Sequence, residues 1–438
     1  MMLFIKNKIS RFYRNRFVRD AATLETGTMS ASFIQALVGV FLARFLQPEL
    51  FGIYTLAFSL AVLIITFLSI GSQEAVTTLI SEAYTRRDKQ EIKNALAFLI
   101  KILIITGFAA VVGVLIAPLI SDLFYGNSQI GIFAGFFIAA IFISNSIFTL
   151  SKIGLQVVGR IKAMTVMVLG DQAVRSGLSL LLVALGFGVL GAVSGHVIGA
   201  VILLAVSVVV WGSIKKRDSL FPSLGSLVKA FWKTKVKKYL GFSVWIAVDK
   251  NISMLYLSLP IILTGIYVTT SEVTFFKLAF AYINLSVSLL VPISILLNVE
   301  FPKIKIVNKK ILAGSFIKIS LYSVALSALL TAGAVVVAPY AFKFFYGVNF
   351  LPSVKYVYGL FVYGALMGIG VGLGSMWRAI NKVKVSILIN VATLGVGIPL
   401  GIYLIKNFGL WGSVIMVTLW FTVSHFVSFI YLTRKLRE

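Results

Sequence analysis

The stretch Leu42–Leu60, which reads LARFLQPELFGIYTLAFSL, decides how the chain is built. It joins two long apolar runs through a short polar bend that carries Arg44, Pro48 and Glu49. Apolar runs of about twenty residues are long enough to cross a hydrocarbon core of ~30 Å as helices. The stretch therefore predicts a tight turn between two membrane-spanning helices.

Part of this stretch returns about half a chain later. Phe51–Leu60 (FGIYTLAFSL) aligns with Val273–Tyr282 (VTFFKLAFAY), and both segments contain Leu-Ala-Phe. Near the end of each half, Phe187–Gly191 (FGVLG) matches Phe408–Gly412 (FGLWG). The distance along the chain from each segment to its match is the same to within one position. Two matches at nearly one offset predict an internal duplication.

The composition places the whole chain in a membrane. Of its 438 residues, 59% are hydrophobic, whereas soluble globular proteins contain roughly 45–50%. We expect twelve spans, at about 27–43, 50–71, 95–117, 130–151, 163–187, 189–212, 239–263, 272–297, 319–340, 356–377, 385–405 and 409–432. The prediction is an all-α polytopic membrane protein, with kinks where Pro260, Pro292 and Pro399 fall inside spans.

The net charge of +26 would suggest a nucleic-acid partner in a soluble protein, but its distribution points to topology instead. Alternate gaps between spans, starting at the N-terminus, hold 32 of the 40 lysines and arginines, whereas the other gaps hold four. Cytoplasmic loops are enriched in these residues. We therefore expect a plasma-membrane protein with both termini in the cytoplasm and no nucleic-acid partner.

The break between the halves falls in the longest basic loop, residues 213–238. We expect a basic amphipathic N-terminus (1–26), an N-lobe of six helices (27–212), this loop, a C-lobe of six helices (239–432) and a tail (433–438). Because six is even, the two lobes should share one orientation and be related by a pseudo-two-fold axis along the membrane normal. We expect one such chain to be a monomeric transport unit.

No enzyme signature is present. The sequence lacks a GxxxxGK[ST] phosphate loop and an HExxH metal motif. The two histidines, His196 and His425, do not occupy equivalent positions in the two halves, because their separation differs from the offset of the duplication. We expect both to have packing roles. We expect no catalytic residue, no metal site and no cofactor other than a coupling ion, Na⁺ or H⁺.

Ionisable side chains at membrane depth are the candidate site. A charge there costs at least about 2.5–3.5 kcal/mol by insertion scales and usually faces a cavity or a partner. Six residues qualify: Lys101, Asp171, Arg175, Asp249, Lys250 and Lys277. The four cations outnumber the two acids, which favours an anionic substrate.

Their spacing suggests different roles. Asp171 and Arg175 are four residues apart and share one helical face, so they are either a self-neutralising pair or part of a cavity. Asp249 and Lys250 are adjacent and point about 100° apart, so they cannot both face lipid. Lys101 and Lys277 are close enough to an interface that their ammonium groups could reach it.

At Ala43–Tyr54 (ARFLQPELFGIY) the sequence resembles Wzx-type polysaccharide flippases of the multidrug/oligosaccharidyl-lipid/polysaccharide (MOP) exporter superfamily, whose first loop reads close to ARFLGPEEFGIY. Gln47 replaces the usual glycine, and Leu50 replaces the second acid. Further likeness lies in residues 71–83 (GSQEAVTTLISEA), in Gly159–Ile161 and in Asp249.

The resemblance implies transport of a polyprenyl-diphosphate-linked oligosaccharide from the cytoplasmic to the outer leaflet, by alternating access through a cationic central cavity. It implies membrane lipids and glycan polymerases or glycosyltransferases as further partners. We expect Arg175 and Lys250 to contact the headgroup, Lys101 and Lys277 to guard the two mouths, and Asp171 and Asp249 to orient these cations or bind the coupling ion.

Two alternatives remain open. A multidrug or cation antiporter of the same superfamily would favour an acidic, aromatic cavity, which the surplus of intramembrane cations disfavours. A scaffold for a glycan-assembly complex would leave those charges without a use.

Overall fold

The computed structural model describes residues 16–68, 72–230, 237–307 and 309–437, and helices form the regular structure throughout these residues. Helices satisfy every backbone hydrogen bond within one segment, as an apolar environment requires. The α-helices are α1 (Arg16–Leu68), α2 (Ser72–Thr85), α3 (Lys89–Tyr125), α4 (Ser128–Val157), α5 (Ile161–Leu182), α6 (Gly188–Arg217), α7 (Leu224–Ala230), α8 (Lys237–Tyr267), α9 (Thr270–Ser288), α10 (Val291–Val307), α11 (Lys309–Ala341), α12 (Val354–Gly359), α13 (Phe361–Leu366), α14 (Leu373–Ala379), α15 (Val383–Phe408) and α16 (Leu410–Arg437). Most of the predicted amphipathic N-terminus, residues 1–15, lies outside the described residues.

The chain divides into two units. Unit 1 comprises Met1–Phe45 and Ile64–Ala247, and unit 2 comprises Leu46–Leu63 and Val248–Glu438. Residues 46–63, which the sequence analysis places in the N-lobe, thus group with unit 2. The predicted lobe boundaries and the axis relating the lobes stay predictions.

Seven helices within the described ranges are long and apolar enough to cross a bilayer, or up to nine if each of two bent pairs counts as one crossing. Two of the seven contain a backbone break: Thr23–Phe67 breaks at Gln47, and Ile161–Arg217 breaks around Gly186. Each of these two stretches, 45 and 57 residues long, provides length for two crossings. The helices are therefore consistent with twelve spans, although that number stays a prediction.

The duplication is visible in the backbone. Gly188 (φ 54°, ψ −142°) and Gly409 (φ 54°, ψ −133°) occupy the same place in the two FG motifs and adopt almost the same conformation where the last long helix of each half begins. Gly126 and Gly347 are a second pair of positive-φ residues at the same offset. Gly159 and Asn381 form a third pair, with an offset one position longer. The two halves therefore have residues with positive φ at equivalent positions.

The break in α1 has a local cause. Pro48 disfavours a helical conformation at Gln47, which adopts φ 60° and ψ 169°, a region normally reserved for glycine. The side chain of Asn349 donates a hydrogen bond of 2.8 Å to Gln47 Oε1. Beyond the break, Thr274 Oγ1 donates to the Pro48 carbonyl at 2.6 Å, and this contact ties the segment to α9.

A second break separates α9 from α10, which are inclined by 49°. It falls at Leu289–Leu290, immediately before Val291–Pro292. A bend is therefore present where the sequence predicts a kink from Pro292, and its cause is that a proline donates no hydrogen bond to the preceding turn.

Candidate functional site

In unit 1, Asp171 and Arg175 form an ion pair on α5. Arg175 Nε donates to Asp171 Oδ1 and Arg175 Nη2 donates to Asp171 Oδ2, each at 2.5 Å. The side chains of Arg175 and Asp171 are 21% and 14% exposed. The shared helical face predicted from their spacing is observed, and the pairing neutralises the guanidinium locally. Three of its five N–H donors remain for other partners.

Close packing of α6 against α5 determines where this pair lies. A Cβ atom at Gly199 would lie 2.8 Å from Arg175 Cα, and one at Gly195 would overlap the backbone of Ser179. One turn before Gly195, the Ala192 carbonyl accepts a hydrogen bond of 2.7 Å from Ser179 Oγ. Gly195 and Gly199, four residues apart on α6, therefore allow the backbones of α6 and α5 to approach closely at Arg175.

His196 also lies on α6, in the same region of unit 1. Its ring packs against Phe137 with centroids 5.2 Å apart. In unit 2, His425 packs edge-on against Phe421, and its ring lies over Gly370, where an added Cβ would be 2.7 Å from Cε1. Both histidines therefore occupy packed positions between helices, as expected from the sequence.

The remaining predicted residues are distributed as follows. Lys101 is partly buried on α3 in unit 1. Asp249 and Lys250 are on α8, but their side chains lie outside the described residues, so their roles stay predictions. Lys277 is on α9 in unit 2, where it is partly buried.

Lys277 is a partly buried cation on an apolar helix. It makes no hydrogen bond or ion pair with any described residue. Its helix neighbours Phe276 and Leu278 are buried, with exposures of 0% and 4%. An unpaired amine on an apolar helix is costly, which marks Lys277 as a functional candidate.

Polar residues missed by the sequence analysis continue from Lys277 along α9 and α10. Asn284 lies two turns further along α9, on the same face as Lys277. Tyr363 on α13, which is only 1% exposed, donates a hydrogen bond of 2.6 Å to Asn284 Oδ1. This bond joins the C-terminal part of α9 to a residue 79 positions later in the sequence.

On α10, Asn298 accepts two hydrogen bonds from α14. Ser375 Oγ donates to Asn298 Oδ1 at 2.7 Å, and Arg378 Nη2 donates to the same atom at 2.6 Å. Arg378 is exposed, so its guanidinium is positioned by one contact and open to others.

We call Lys277, Asn284, Asn298 and Arg378 the polar series of unit 2. Amide and hydroxyl groups along it suit sugar hydroxyls, and its cations suit phosphate or carboxylate groups. Charge at membrane depth does not point to the two amides; asparagines within apolar helices are the sequence signal that would have found them.

Outside the apolar helices, a hydrogen bond joins α2 to the segment after α6. Tyr84 donates to Asp218 Oδ2 at 2.8 Å. The Asp218 carboxylate raises the pKa of Tyr84, and burial raises it further. Trp211 and Phe221 pack beside this bond, with ring centroids 5.8 Å apart. The start of the predicted inter-lobe loop is therefore anchored within unit 1.

Within the described part of the chain, no group of three histidine, aspartate or glutamate side chains could hold a metal ion. The coupling ion stays a prediction.

Sequence comparison matches residues 17–305 to the model of a family described as "Polysaccharide biosynthesis protein". No curated protein is significantly similar in sequence to the chain.

Three solved structures show the fold. An inward-facing multidrug resistance MATE transporter of the MOP superfamily has a TM-score of 0.69 and 16% identity, over 92% of this chain and 94% of that chain. The lipid II flippase MurJ, in an inward closed conformation, has a TM-score of 0.69 and 16% identity, over 94% of this chain and 87% of that chain. A MOP transporter from Pyrococcus furiosus, whose binding pocket is described as having reverse polarity, has a TM-score of 0.63 and 17% identity, over 95% of each chain. The predicted all-α fold of the MOP superfamily is confirmed.

Proposed function

The chain belongs to the polysaccharide biosynthesis protein family, and from that membership we propose that it translocates a polyprenyl-diphosphate-linked oligosaccharide from the cytoplasmic to the outer leaflet. Alternating access through a cationic central cavity is part of this proposal. So are a plasma-membrane location, cytoplasmic termini, a monomeric transport unit and glycan polymerases or glycosyltransferases as partners.

The observation that best supports the proposal is the unpaired ammonium group of Lys277, which has no partner among the described residues, although this lysine is partly buried on an apolar helix. A diphosphate would supply the missing negative charge. The desolvation cost of the amine would then be offset only when the substrate is bound, which gives specificity for an anionic headgroup.

The polar series supports the glycan half of the proposal. Asn284 and Asn298 each use one carbonyl oxygen toward the protein and keep amide N–H donors for a ligand. Arg378 could contact a phosphate or an acidic sugar through the guanidinium nitrogens that Asn298 does not engage. Together, these residues would offer the headgroup a succession of weak contacts along its path.

The ion pair on α5 changes the role proposed for Arg175. Because Asp171 neutralises its charge, Arg175 would bind the headgroup through its remaining N–H donors rather than through net charge. Lys250 and Lys101 would add charge elsewhere along the path, and Asp249 would orient Lys250 or bind a coupling ion.

The test is the fate of lipid-linked glycan in cells depleted of this protein. We expect accumulation on the cytoplasmic leaflet, relieved by the intact chain and by Lys343→Gln, which removes an exposed cation outside the polar series. Lys277→Met should not relieve it. Unchanged glycan together with new sensitivity to lipophilic cations would favour the drug antiporter instead. Normal complementation by Lys277→Met would remove the basis of the proposal.

A further inference from the structure

A cavity of about 290 Å³ opens in unit 2 between the first turns of α11 and the last turns of α16. It is lined by Ile317 of α11 and by Phe429, Ile430, Thr433, Arg434 and Arg437 of α16. None of these residues belongs to the polar series, so the cavity is a separate feature of the unit.

The cavity is apolar at one end and basic at the other. The spacing of its α16 residues places them on one helical face. Phe429 and Arg437 are eight residues apart, which corresponds to about 12 Å along the axis. A ligand there would meet isoleucine and phenylalanine first and two guanidinium groups about two turns later.

The two arginines lack a counterion among the described residues: no carboxylate there pairs with Arg434 or Arg437. Both side chains are exposed, and they are one turn apart on the same face. They can therefore engage one anionic group together.

The position of the cavity along α16 fits the surface of a bilayer. Residues 410–432 contain no lysine, arginine, aspartate or glutamate. At 1.5 Å per residue this stretch spans about 33 Å, close to the ~30 Å thickness of a hydrocarbon core. Arg434 and Arg437 follow directly and so lie at headgroup level, while Phe429 lies at the level of the acyl chains.

We propose that this cavity binds an anionic phospholipid, with Arg434 and Arg437 holding the phosphodiester group and with Ile317, Phe429 and Ile430 contacting the upper part of an acyl chain. Guanidinium groups match phosphate oxygens in pairs, and basic pockets between membrane helices are typical sites for acidic lipid headgroups. The site holds a resident lipid of the bilayer rather than transported cargo, and it does not rest on the proposed function.

The test measures lipid retention by the purified full chain in detergent, using native mass spectrometry. The probes are phosphatidylglycerol and phosphatidylcholine with identical acyl chains. We expect the wild type to bind phosphatidylglycerol about tenfold more tightly. The double variant Arg434→Gln/Arg437→Gln should lose this preference.

Two further variants keep the test decisive. Lys382→Gln/Lys406→Gln removes two exposed cations of the same unit outside the cavity and should keep the preference. Ile317→Trp fills the apolar end without changing charge and should weaken phosphatidylglycerol binding, even if the arginine variant does not fold. Retention of the preference by the arginine variant, equal loss in the lysine control, or displacement of the lipid by inorganic phosphate alone would overturn the proposal.

Discussion

Arg175 and Asp171 lie one turn apart on α5 and share two hydrogen bonds of 2.5 Å, so this arginine has its counterion on its own helix. The backbone of Arg175 is in turn pressed against Gly199 of α6. The pair is therefore fixed both electrostatically and by packing.

Removing the acid alone should be more harmful than removing the pair. Asp171→Asn leaves the guanidinium uncompensated at membrane depth, and breaking a buried pair typically costs about 3–5 kcal/mol; with partial exposure here we expect the lower end. Adding Arg175→Gln should restore part of the loss. A double-mutant cycle on thermal unfolding in detergent measures the coupling free energy, and additive effects would contradict the pairing.

Simultaneous neutralisation of Arg175 and Lys250 should abolish glycan flipping without preventing membrane insertion. Both residues are proposed headgroup contacts, and their loss removes guanidinium donors and an ammonium charge. Complementation of depleted cells gives the activity, and the amount of folded protein in the membrane fraction gives insertion. Arg175→Lys keeps the positive charge but loses the paired N–H donors of the guanidinium, so it should retain partial activity. Normal flipping by the double variant would refute these two contacts.

Gly199→Ala should destabilise unit 1 and disturb the ion pair. Its Cβ would lie 2.7 Å from Arg175 Cγ and 2.8 Å from Arg175 Cα, so backbones must separate, at a cost of about 1–3 kcal/mol. The matched control is Gly177→Ala on α5, where nothing lies within 4 Å of the added methyl. This change should stabilise the helix by up to about 1 kcal/mol. Melting temperatures of the two variants in one detergent provide the comparison.

Gln47→Gly should stabilise the chain by about 1 kcal/mol. The positive φ at this position strains glutamine but not glycine, and this relief should exceed the loss of the exposed Asn349 hydrogen bond. Gln47→Ala loses the bond and keeps the strain, so it should be less stable than the wild type. A lower melting temperature for the glycine variant would show that the amide bond outweighs the strain.

The Tyr84–Asp218 bond should depend on pH. The pKa of Tyr84 is raised in the folded protein, so its stabilisation is fully present below the ordinary tyrosine pKa of about 10 and is lost as the pH rises through the folded value. Tyr84→Phe should therefore lower stability by about 1 kcal/mol near pH 7. Above pH 10 the difference from the wild type should shrink, as thermal unfolding over a pH series would show.

The sequence predicted several features that depend on local patterns. Span length, the offset of the duplication, the bend at Pro48 and the shared face of Asp171 and Arg175 follow from patterns that can be read along the chain. The presence of Gln47 where similar loops have glycine can also be seen in the sequence. The structure shows that this residue has a strained backbone conformation and precedes a proline.

Contacts between distant residues were decided by tertiary structure alone. Nothing in the sequence pairs Asn298 with Arg378, 80 residues later, or Asn284 with Tyr363. The sequence also could not show whether Lys277 meets a partner from another helix; among the described residues it has none, whereas Arg175 is paired within its own helix. Helical periodicity determines which face a side chain occupies, but only the packing of helices against each other determines what that face meets.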